Sequence, residues 1–224
     1  NLVVAAPVVQ SRAKLATAPR ARVVIVNSGN ANACTGARGE VDAAEMAKAA
    51  ADAVGCDVRD VQVCSTGVIG APLPVERVRD ALPRLLDVTR VDGLPDFARA
   101  IMTTDTRPKQ RGVRLTIDGR EITIAGACKG AGMIHPNMAT MLGFVLTDAP
   151  ITEADLVAVW GRVAGRTFNA ISVDGDTSTN DTALCLASGA AGGEALKGDA
   201  LARFEAALEQ VAGGGGFLGL EEFV

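Results

Sequence analysis

Residues 129–142 combine the side chains and spacing best suited to chemistry in this chain. They read KGAGMIHPNMATML, a glycine-rich turn followed by a Pro-Asn corner and then by Ala139 and Thr140 ahead of an apolar run. The hydroxyl of a threonine at the start of a buried strand can attack the carbonyl group of the preceding residue and cleave the chain there. The product is a chain that begins with Thr140, whose own α-amine can act as the base for its hydroxyl.

The base in this scheme is an ordinary N-terminal amine. Its pKa of about 7.7–8.0 leaves part of it neutral near pH 7, and the neutral form accepts a proton. A tetrahedral intermediate at the attacked carbonyl carries a negative oxygen, which backbone N–H and hydroxyl groups stabilise. The sequence therefore has to bring donor groups to the same place as the threonine.

Three segments of small residues are candidates to supply those donors. Residues 27–32, 64–70 and 129–140 each follow a predicted strand and consist largely of Gly, Ala, Ser, Thr and Asn. Small residues let backbone N–H groups approach a substrate closely. Each segment taken alone is compatible with a plain turn. Together with the Met-Thr-Thr-Asp run at 102–105, they favour a site.

The elements that must position these segments alternate between strands and helices. Short β-branched runs predict strands at 22–27, 61–64, 141–146 and 182–187, and the Asp118-Gly119 pair predicts a hairpin between strands 113–117 and 121–125. Cap and breaker residues predict helices at 42–54, from Pro74 to about 86 with Pro83 as punctuation, 95–102, 152–163 and 199–211. This order predicts an α/β fold with a mixed sheet.

The composition of the chain argues against several classes of function. The 224 residues carry a net charge of −4, 3% aromatic residues and no tyrosine, which argues against a nucleic-acid partner. Five cysteines without a C-x-x-C spacing favour reduced thiols in a reducing, cytoplasmic compartment, and a single histidine argues against zinc. No apolar run reaches the roughly 18 residues that span a bilayer, and no signal peptide is visible.

The ordered motifs resemble those of a known family. They are NSGNANACTG at 27–36, CSTGVIG at 64–70, MTTD at 102–105, KGAGM at 129–133, MATML at 138–142 and DGDTSTNDT at 174–182. Together they resemble ornithine acetyltransferase, also called bifunctional glutamate N-acetyltransferase, of arginine biosynthesis. The resemblance covers residues 2–211.

The resemblance implies a layered α-β-β-α sandwich with mixed sheets and a precursor that cleaves itself between Ala139 and Thr140. Residues 1–139 then form an α-chain region and residues 140–212 a β-chain region. The glycine-rich tail 213–224 does not match the family. Thr140 becomes the acetyl-carrying nucleophile, Thr66 and Gly67 match the oxyanion-hole pair, and Thr103 and Lys129 match substrate-binding positions. Thr104 is one residue away from such a match.

The implied reaction moves acetyl from N-acetylornithine to glutamate through an acetyl-threonine intermediate, so no cofactor and no metal are expected. Whether acetyl-CoA also donates stays open. The family assembles as two α and two β chains, so a heterotetramer is expected. The family's further part supplies a glutamate, an asparagine and a hydroxyl residue that have no counterparts here, and Glu221 and Glu222 do not match its continuation.

Simpler interpretations stay open for the singled-out residues. Thr140 is compatible with an ordinary strand residue, Lys129 with a solvated loop charge and Thr66 with a helix cap. His135 is interpreted as structural. The aspartates of the last motif (Asp174, Asp176 and Asp181) lack the closing glutamate of a calcium loop, which favours turn and capping chemistry.

Two other functions also stay open. A self-cleaving aminopeptidase or amidase of the same fold would use the same nucleophile and oxyanion hole for hydrolysis. The third hypothesis is an inactive, truncated relative: the chain begins at Asn1 rather than Met, and the run of glycines at 213–216 is followed by no predicted closing element.

Overall fold

Six strands and six helices make up the regular structure of the described residues. The structure is a computed structural model, and it describes residues 2–131, 141–170 and 177–213. The strands are β1 (Val23–Asn30), β2 (Val61–Val68), β3 (Lys109–Ile117), β4 (Arg120–Lys129), β5 (Leu142–Thr147) and β6 (Thr182–Ala187). The helices are α1 (Ala6–Thr17), α2 (Gly36–Val54), α3 (Val75–Asp87), α4 (Leu94–Ala100), α5 (Glu153–Arg166) and α6 (Gly198–Gly213), with short 3₁₀ turns at Val58–Asp60 and Phe168–Ala170.

The strands form two sheets. β1 and β2 pair in parallel, with Val23 opposite Val61. The second sheet has the order β3-β4-β5-β6, in which β4 is antiparallel to both neighbours and β5 is parallel to β6. The predicted mixed sheet is confirmed.

The sheets and helices stack in four layers. Alternate residues of β1 and β2, such as Ile25 and Val63, pack against α2 and α3, whereas Val26 and Cys64 face the second sheet. Leu142 and Phe144 of β5 meet them there, and the opposite face of β5 packs on α5 and α6. Because strand side chains alternate between faces, each sheet separates two apolar cores. The predicted α-β-β-α sandwich is confirmed.

Local sequence signals explain several boundaries. Asp118 and Gly119 adopt φ values of 50° and 76°, as a two-residue hairpin turn requires. Thr152 caps α5 by accepting from the backbone N–H of Asp155 at 3.1 Å. Gly55 ends α2 in the left-handed conformation. These three boundaries depend only on residues close together in sequence, so the sequence predicts them.

The predicted start of α2 is wrong. The helix begins at Gly36 rather than at Asp42, and Asp42 lies inside it, 1% exposed, where it pairs with Arg38 one turn earlier. An aspartate near a helix start resembles an N-cap in sequence. Here the ion pair lets the carboxylate sit inside the helix instead.

Two further differences concern the edge of the first sheet. β1 and β2 run on through the predicted loops to Asn30 and Val68, and α1 has no counterpart in the prediction. The α1 helix lies against β2, where the Ser11 hydroxyl donates to Val63 O and accepts from Val63 N, both at 3.0 Å. Ser11 thus satisfies backbone groups at the outer edge of β2.

None of the helices in the described residues is long and apolar enough to cross a membrane. None of the five cysteines, all of which are described, forms a disulfide: Cys64 and Cys128 are buried, Cys56 and Cys185 are half-buried, and Cys34 is exposed. Burial raises the pKa of the Cys64 and Cys185 thiols to about 12, which suppresses the thiolate form that reacts.

The predicted tail at 213–224 lies outside the described residues except for Gly213, the last residue of α6.

Candidate active site

The ends of β1 and β2 carry a shared set of polar residues. Because the two strands are parallel, both carboxyl ends lie at one edge of the sheet. Ser65 donates its hydroxyl to Asn27 Oδ1 at 2.6 Å, and Ser28 donates to the Ala100 carbonyl, at the end of α4, at 2.7 Å. These bonds tie the two small-residue segments to each other and to the loop that follows α4.

Gly67 allows the two strands to approach closely at this edge. Its φ is +132°, and a Cβ atom at this position would lie 2.2 Å from the Gly29 carbonyl carbon. The preceding residue, Thr66, is buried, whereas Gly67 itself is exposed. A glycine is required here, and it leaves the main chain accessible directly beside a buried hydroxyl.

Lys129 links the ends of β2 and β4. It is the last residue of β4, is 3% exposed, and donates its Nζ to Thr66 Oγ1 at 3.1 Å and to Thr103 Oγ1 at 2.9 Å. The hydroxyl at 2.9 Å belongs to Thr103, and both Thr103 and its neighbour Thr104 are exposed. Three predicted site residues therefore meet at one ammonium group.

Two of the simpler interpretations are wrong. Thr66 is a strand residue rather than a helix cap, since α3 begins only at Val75 with Pro74 before it. Lys129 is a buried strand residue rather than a solvated loop charge. The geometry also orients the Thr66 hydroxyl. Its oxygen accepts from an ammonium, so its own proton points elsewhere and is available to a developing negative charge.

Asp105 and Lys109 form a buried ion pair behind Lys129. Asp105 Oδ1 accepts from Lys109 Nζ at 3.0 Å and from the Gly130 backbone N–H at 2.8 Å, and Lys109 Nζ also donates to the Gly130 carbonyl at 3.1 Å. Asp105 Oδ2 lies 3.9 Å from Lys129 Nζ. Asp105 belongs to the MTTD motif but had no predicted role, and Lys109 was not predicted as a site residue. Asp105 and Lys109 are only four residues apart, but their contacts with Lys129 and Gly130 join distant parts of the chain, which no local pattern encodes.

The charged groups of this cluster shift the pKa values of one another. Burial raises the pKa of the Asp105 carboxyl, but the bonds from Gly130 and Lys109 and the charge of Lys129 outweigh it and hold the pKa below its usual value. Burial lowers the pKa of Lys129, and so does the charge of Lys109, whereas Asp105 opposes both. Lys129 is thus a cation whose charge depends on its neighbours.

The segment before β6 adds an amide and a carboxyl group. Asn180 Nδ2 donates to the carbonyls of Ala31 at 2.6 Å and Ser65 at 3.0 Å, which joins β6 to the first sheet. Asp181 Oδ1 accepts from the backbone N–H of Met141 at 3.0 Å. Burial raises the pKa of Asp181 to about 6, although bonds from Met141 and Ser178 and the charge of Lys129 lower it.

The turn and capping interpretation of the last aspartate motif stays a prediction for two of its three members. Asp181 does hold a backbone N–H, but Asp174 and Asp176 lie outside the described residues. Within residues 2–131, 141–170 and 177–213, no group of three or more His, Cys, Asp or Glu side chains could hold a metal ion.

The predicted cleavage point also lies outside the described residues. Residues 132–140, which include His135, Ala139 and Thr140, are not described. The two residues that follow Thr140 in sequence are described and buried. Met141 donates to Asp181, whereas Leu142 pairs with Lys129 in the β4–β5 ladder and packs with Cys64 of β2. The start of β5 therefore lies among the elements that hold Thr66 and Lys129.

Comparisons with known proteins decide the family. A family model described as the ArgJ family matches residues 1–214. The chain belongs to the ArgJ family. Among curated relatives, the arginine biosynthesis bifunctional proteins ArgJ of Symbiobacterium thermophilum and Geobacter sulfurreducens are 54% and 50% identical, over 86% and 94% of this chain and 48% and 54% of their own lengths. The chain thus spans about half the length of the curated relatives it matches.

Two solved structures are similar. The crystal structure of the ArgJ protein of Bacillus halodurans matches with a TM-score of 0.58 and 39% identity, over 62% of this chain and 73% of that chain. The structure of an ornithine acetyltransferase from Mycobacterium tuberculosis in complex with ornithine matches with a TM-score of 0.52 and 34% identity, over 63% and 74%. Both support the ArgJ fold.

This member of the ArgJ family also has a large groove away from Lys129. The groove, of about 740 Å³, lies between α1, α5 and the strand β6, which is the last strand of its sheet. Its lining is mainly apolar but includes Gln62, which is 1% exposed and whose side-chain amide makes no hydrogen bond within the described part of the chain. Asp181, whose charge acts on Lys129, is one of the residues that line the groove.

Proposed function

We propose that this chain carries the acyl-transfer site of an ornithine acetyltransferase, which moves acetyl from N-acetylornithine to glutamate in arginine biosynthesis. The observation that carries the proposal is the buried Lys129 ammonium on the hydroxyls of Thr66 and Thr103. ArgJ relatives and an ornithine acetyltransferase among the similar structures support the reaction class. The site offers a hydroxyl and main chain for an oxyanion and a cation for a carboxylate.

Cleavage is the first step. The Thr140 hydroxyl attacks the carbonyl carbon of Ala139, a C–O bond forms, and the C–N bond between the two residues breaks as its nitrogen takes a proton. Water then hydrolyses the resulting ester, which leaves a carboxylate on Ala139 and a free hydroxyl and amine on Thr140. We propose that residues 1–139 and 140–212 stay together as α and β regions.

Transfer follows in two halves. The Thr140 amine takes the hydroxyl proton as the oxygen attacks the acetyl carbonyl of N-acetylornithine, and the C–N bond breaks to release ornithine with that proton. The amine of glutamate then attacks the acetyl-threonine ester and regenerates the hydroxyl. We propose no cofactor, since the acetyl group stays on protein oxygen throughout.

The residues at the strand ends stabilise and position the reactants. The Thr66 hydroxyl and the Gly67 N–H are the donors for the negative oxygen of each tetrahedral intermediate, and one such donor is typically worth about 2.7–4 kcal/mol. Lys129 binds the carboxylate of the amino-acid substrate, with Thr103 beside it. Both substrates are amino acids with a carboxylate, so one cation serves both halves of the reaction.

The setting of the reaction is part of the proposal. We propose a cytoplasmic enzyme in which two α and two β regions associate, with amino acids as substrates and neither nucleic acid nor membrane as partner. Acetyl-CoA is a second candidate donor. Size-exclusion chromatography with light scattering on cleaved material tests the assembly, and labelled acetyl-CoA tests the second donor.

The cleavage step is tested by denaturing mass spectrometry of the purified protein. Two species that divide after Ala139 are expected, and N-terminal sequencing should report threonine for the second. The Thr140→Ala variant, which lacks the hydroxyl, should give one uncut species. A single uncut species from the wild-type chain would overturn this step and favour the inactive relative.

The transfer step is tested with N-acetylornithine labelled in the acetyl group. The label should remain on the peptide that begins with Thr140 after rapid denaturation, and added glutamate should remove it as N-acetylglutamate. Release of labelled acetate without transfer to glutamate would replace this proposal with the amidase. Absence of label from fully cleaved protein would show that the chain lacks the transfer activity.

A further inference from the structure

The predicted substrate cation, Lys129, and two further ionisable groups, Asp105 and Lys109, lie together almost fully shielded from solvent. The side chains of Lys109 and Lys129 are each 3% exposed, and that of Asp105 is 0% exposed. Burial of an ammonium or a carboxylate is costly unless an opposite charge and hydrogen bonds compensate it. Asp105 interacts with both ammonium groups, so its placement contributes to the compensation of each of them.

The carboxylate is shared unequally. Asp105 Oδ1 bonds Lys109 at 3.0 Å, while Oδ2 accepts from the Thr103 N–H at 3.3 Å and stays 3.9 Å from the Lys129 ammonium. Lys129 directs its short bonds to two neutral hydroxyls instead. Asp105 therefore attracts the Lys129 ammonium through its charge without forming a short hydrogen bond to it.

The same pair also holds the backbone after Lys129. Asp105 accepts from the Gly130 N–H at 2.8 Å, and Lys109 donates to the Gly130 carbonyl at 3.1 Å. Both polar groups of this residue are thereby bonded to a buried ion pair. Since Gly130 directly follows Lys129, the pair fixes the direction in which β4 ends and the point from which the lysine side chain starts.

We propose that Asp105 and Lys109 are a positioning pair for Lys129, in which one shared carboxylate keeps the Lys129 ammonium charged on Thr66 and Thr103 while leaving it free to bind a substrate carboxylate. The part of this inference that concerns substrate rests on the proposed function. The part that concerns the charge and placement of Lys129 does not, because it follows from the described contacts alone.

The two members of the pair act on Lys129 with opposite sign. The described charged groups that act on Lys129 are Asp105 and Asp181, which favour its charged form, and Lys109, which opposes it. Removing Asp105 leaves two buried ammonium groups together and lowers the pKa of Lys129. Removing Lys109 removes a neighbouring positive charge, while Asp105 still attracts Lys129, and the pKa of Lys129 rises. A merely structural role of the pair would give no such opposition.

The test is an NMR titration of the lysine side chains in the cleaved, complete protein. The protein is labelled with 13C-lysine, and the Lys129 signal is assigned by its loss in Lys129→Arg. The pKa of Lys129 should fall by about 1 or more in Asp105→Asn and rise in Lys109→Met. It should stay near the wild-type value in Lys109→Arg, the matched control that keeps the charge, and should lie between the values of the two single variants in Asp105→Asn/Lys109→Met.

Circular dichroism and thermal melting report whether each variant folds. If Asp105→Asn does not fold, the rise in Lys109→Met and its absence in Lys109→Arg still decide the matter. A Lys129 pKa that moves in the same direction in both single variants, or in neither, overturns the inference.

Acetyl transfer gives a second readout. The alkaline limb of kcat/KM should move to lower pH in Asp105→Asn and to higher pH in Lys109→Met, with the larger effect on KM than on kcat. The two proposals fail separately. A Lys129 pKa that shifts as expected in a protein without acetyl transfer would refute only the proposed function. Transfer with an unshifted Lys129 pKa would refute only the positioning pair.

Discussion

Asp181 shows how one carboxyl group ties stability to pH at the candidate site. Its ordinary pKa is 3.8, and burial raises it to about 6 in the folded chain. The folded state therefore binds the proton more tightly, and the free energy of unfolding falls as pH rises from about 4 through 6. Asp181→Asn removes the charge and keeps an oxygen for the Met141 N–H. We expect it to stabilise the protein by about 1–3 kcal/mol at pH 7.5.

Urea denaturation at pH 4 and pH 7.5 measures this difference. The gain from Asp181→Asn should shrink to a few tenths of a kcal/mol near pH 4, because the wild-type group is then protonated in the folded state and about half protonated in the unfolded state. Asp148→Asn is the matched control, because the half-buried Asp148 accepts from the Thr123 N–H at 2.8 Å in the same way. An Asp181→Asn variant that is less stable at pH 7.5, with a smaller loss at pH 4, would show that the charged form is preferred.

Gly67 makes a second residue-scale prediction, which concerns space rather than charge. A Cβ atom here would lie 2.2 Å from a backbone carbon of β1, whereas at Gly70, which also has a positive φ, nothing lies within 4 Å. Both Gly→Ala changes cost about 1 kcal/mol or more through the left-handed backbone. Gly67→Ala should cost several times as much as Gly70→Ala in chemical denaturation, because the backbone of β1 must also move. Equal costs would contradict the close approach of β1 and β2.

Among elements, α5 and α6 are joined by a charged network as well as by apolar packing. Glu205 accepts from Arg162 and Arg166, which lower the pKa of its carboxyl to about 2, and Arg166 also bonds Glu209. A lowered pKa means that the stabilisation is complete above about pH 4.5 and is lost as pH falls towards 2. Since the arginines are about half exposed, the network is worth only about 1 kcal/mol.

Glu205→Gln should therefore lower the thermal midpoint slightly at pH 7, and less at pH 3 or in high salt. Glu194→Gln, at an exposed loop position, is the control and should change the midpoint little at either pH. A loss for Glu205→Gln that persists undiminished at pH 3 and high salt would mean that the glutamate acts through packing rather than charge.

The elements that the sequence predicted are those with local causes. The hairpin at Asp118-Gly119, the cap at Thr152 and the stop at Gly55 depend on a few adjacent residues. The extension of β1 and β2 through their polar segments depends on pairing across the sheet, and α1 is held by contacts such as Ser11 with Val63, 52 positions away. Such long-range pairing cannot be read from a local pattern.

Some residues of the candidate site could likewise be predicted from the sequence, and others could not. The motif resemblance brought Thr66, Thr103 and Lys129 together, and the structure places them in direct contact. The Asp105–Lys109 pair was not predicted, because its contacts with Gly130 and Lys129 depend on how the loop after α4 meets the end of β4. Charged residues at loop ends are usually solvated, so their burial is visible only once the strands are paired.

At the scale of the whole molecule, the candidate site lies where the two sheets meet. Leu142 pairs with Lys129 in one sheet and packs with Cys64 of the other, while Asn180 bonds carbonyls of the first sheet from the end of the second. The apolar cluster between the sheets includes Phe97 and Phe144, whose rings meet edge to face at 5.2 Å. The position of Lys129 relative to Thr66 thus depends on sheet-to-sheet packing, which involves most of the chain.

The groove between α1, α5 and β6 provides the whole-molecule prediction. Gln62 and Ser11 both line it and are both buried, but only Ser11 has partners for its polar atoms among residues 2–131, 141–170 and 177–213. A buried amide without a partner costs free energy that an apolar side chain of similar shape avoids. Gln62→Met should therefore raise the free energy of unfolding by about 1 kcal/mol, whereas Ser11→Ala should lower it by about the same amount.

Urea denaturation of the two variants side by side measures this opposition of sign. Both changes remove a polar group from the same groove. If polarity in the groove alone decided stability, both variants would change the free energy of unfolding in the same direction. Opposite shifts would show that hydrogen bonding, rather than polarity alone, decides which polar side chains this interior tolerates. A loss of stability in Gln62→Met would instead mean that its amide is bonded in solution, and that the groove is filled by a group able to pair with it.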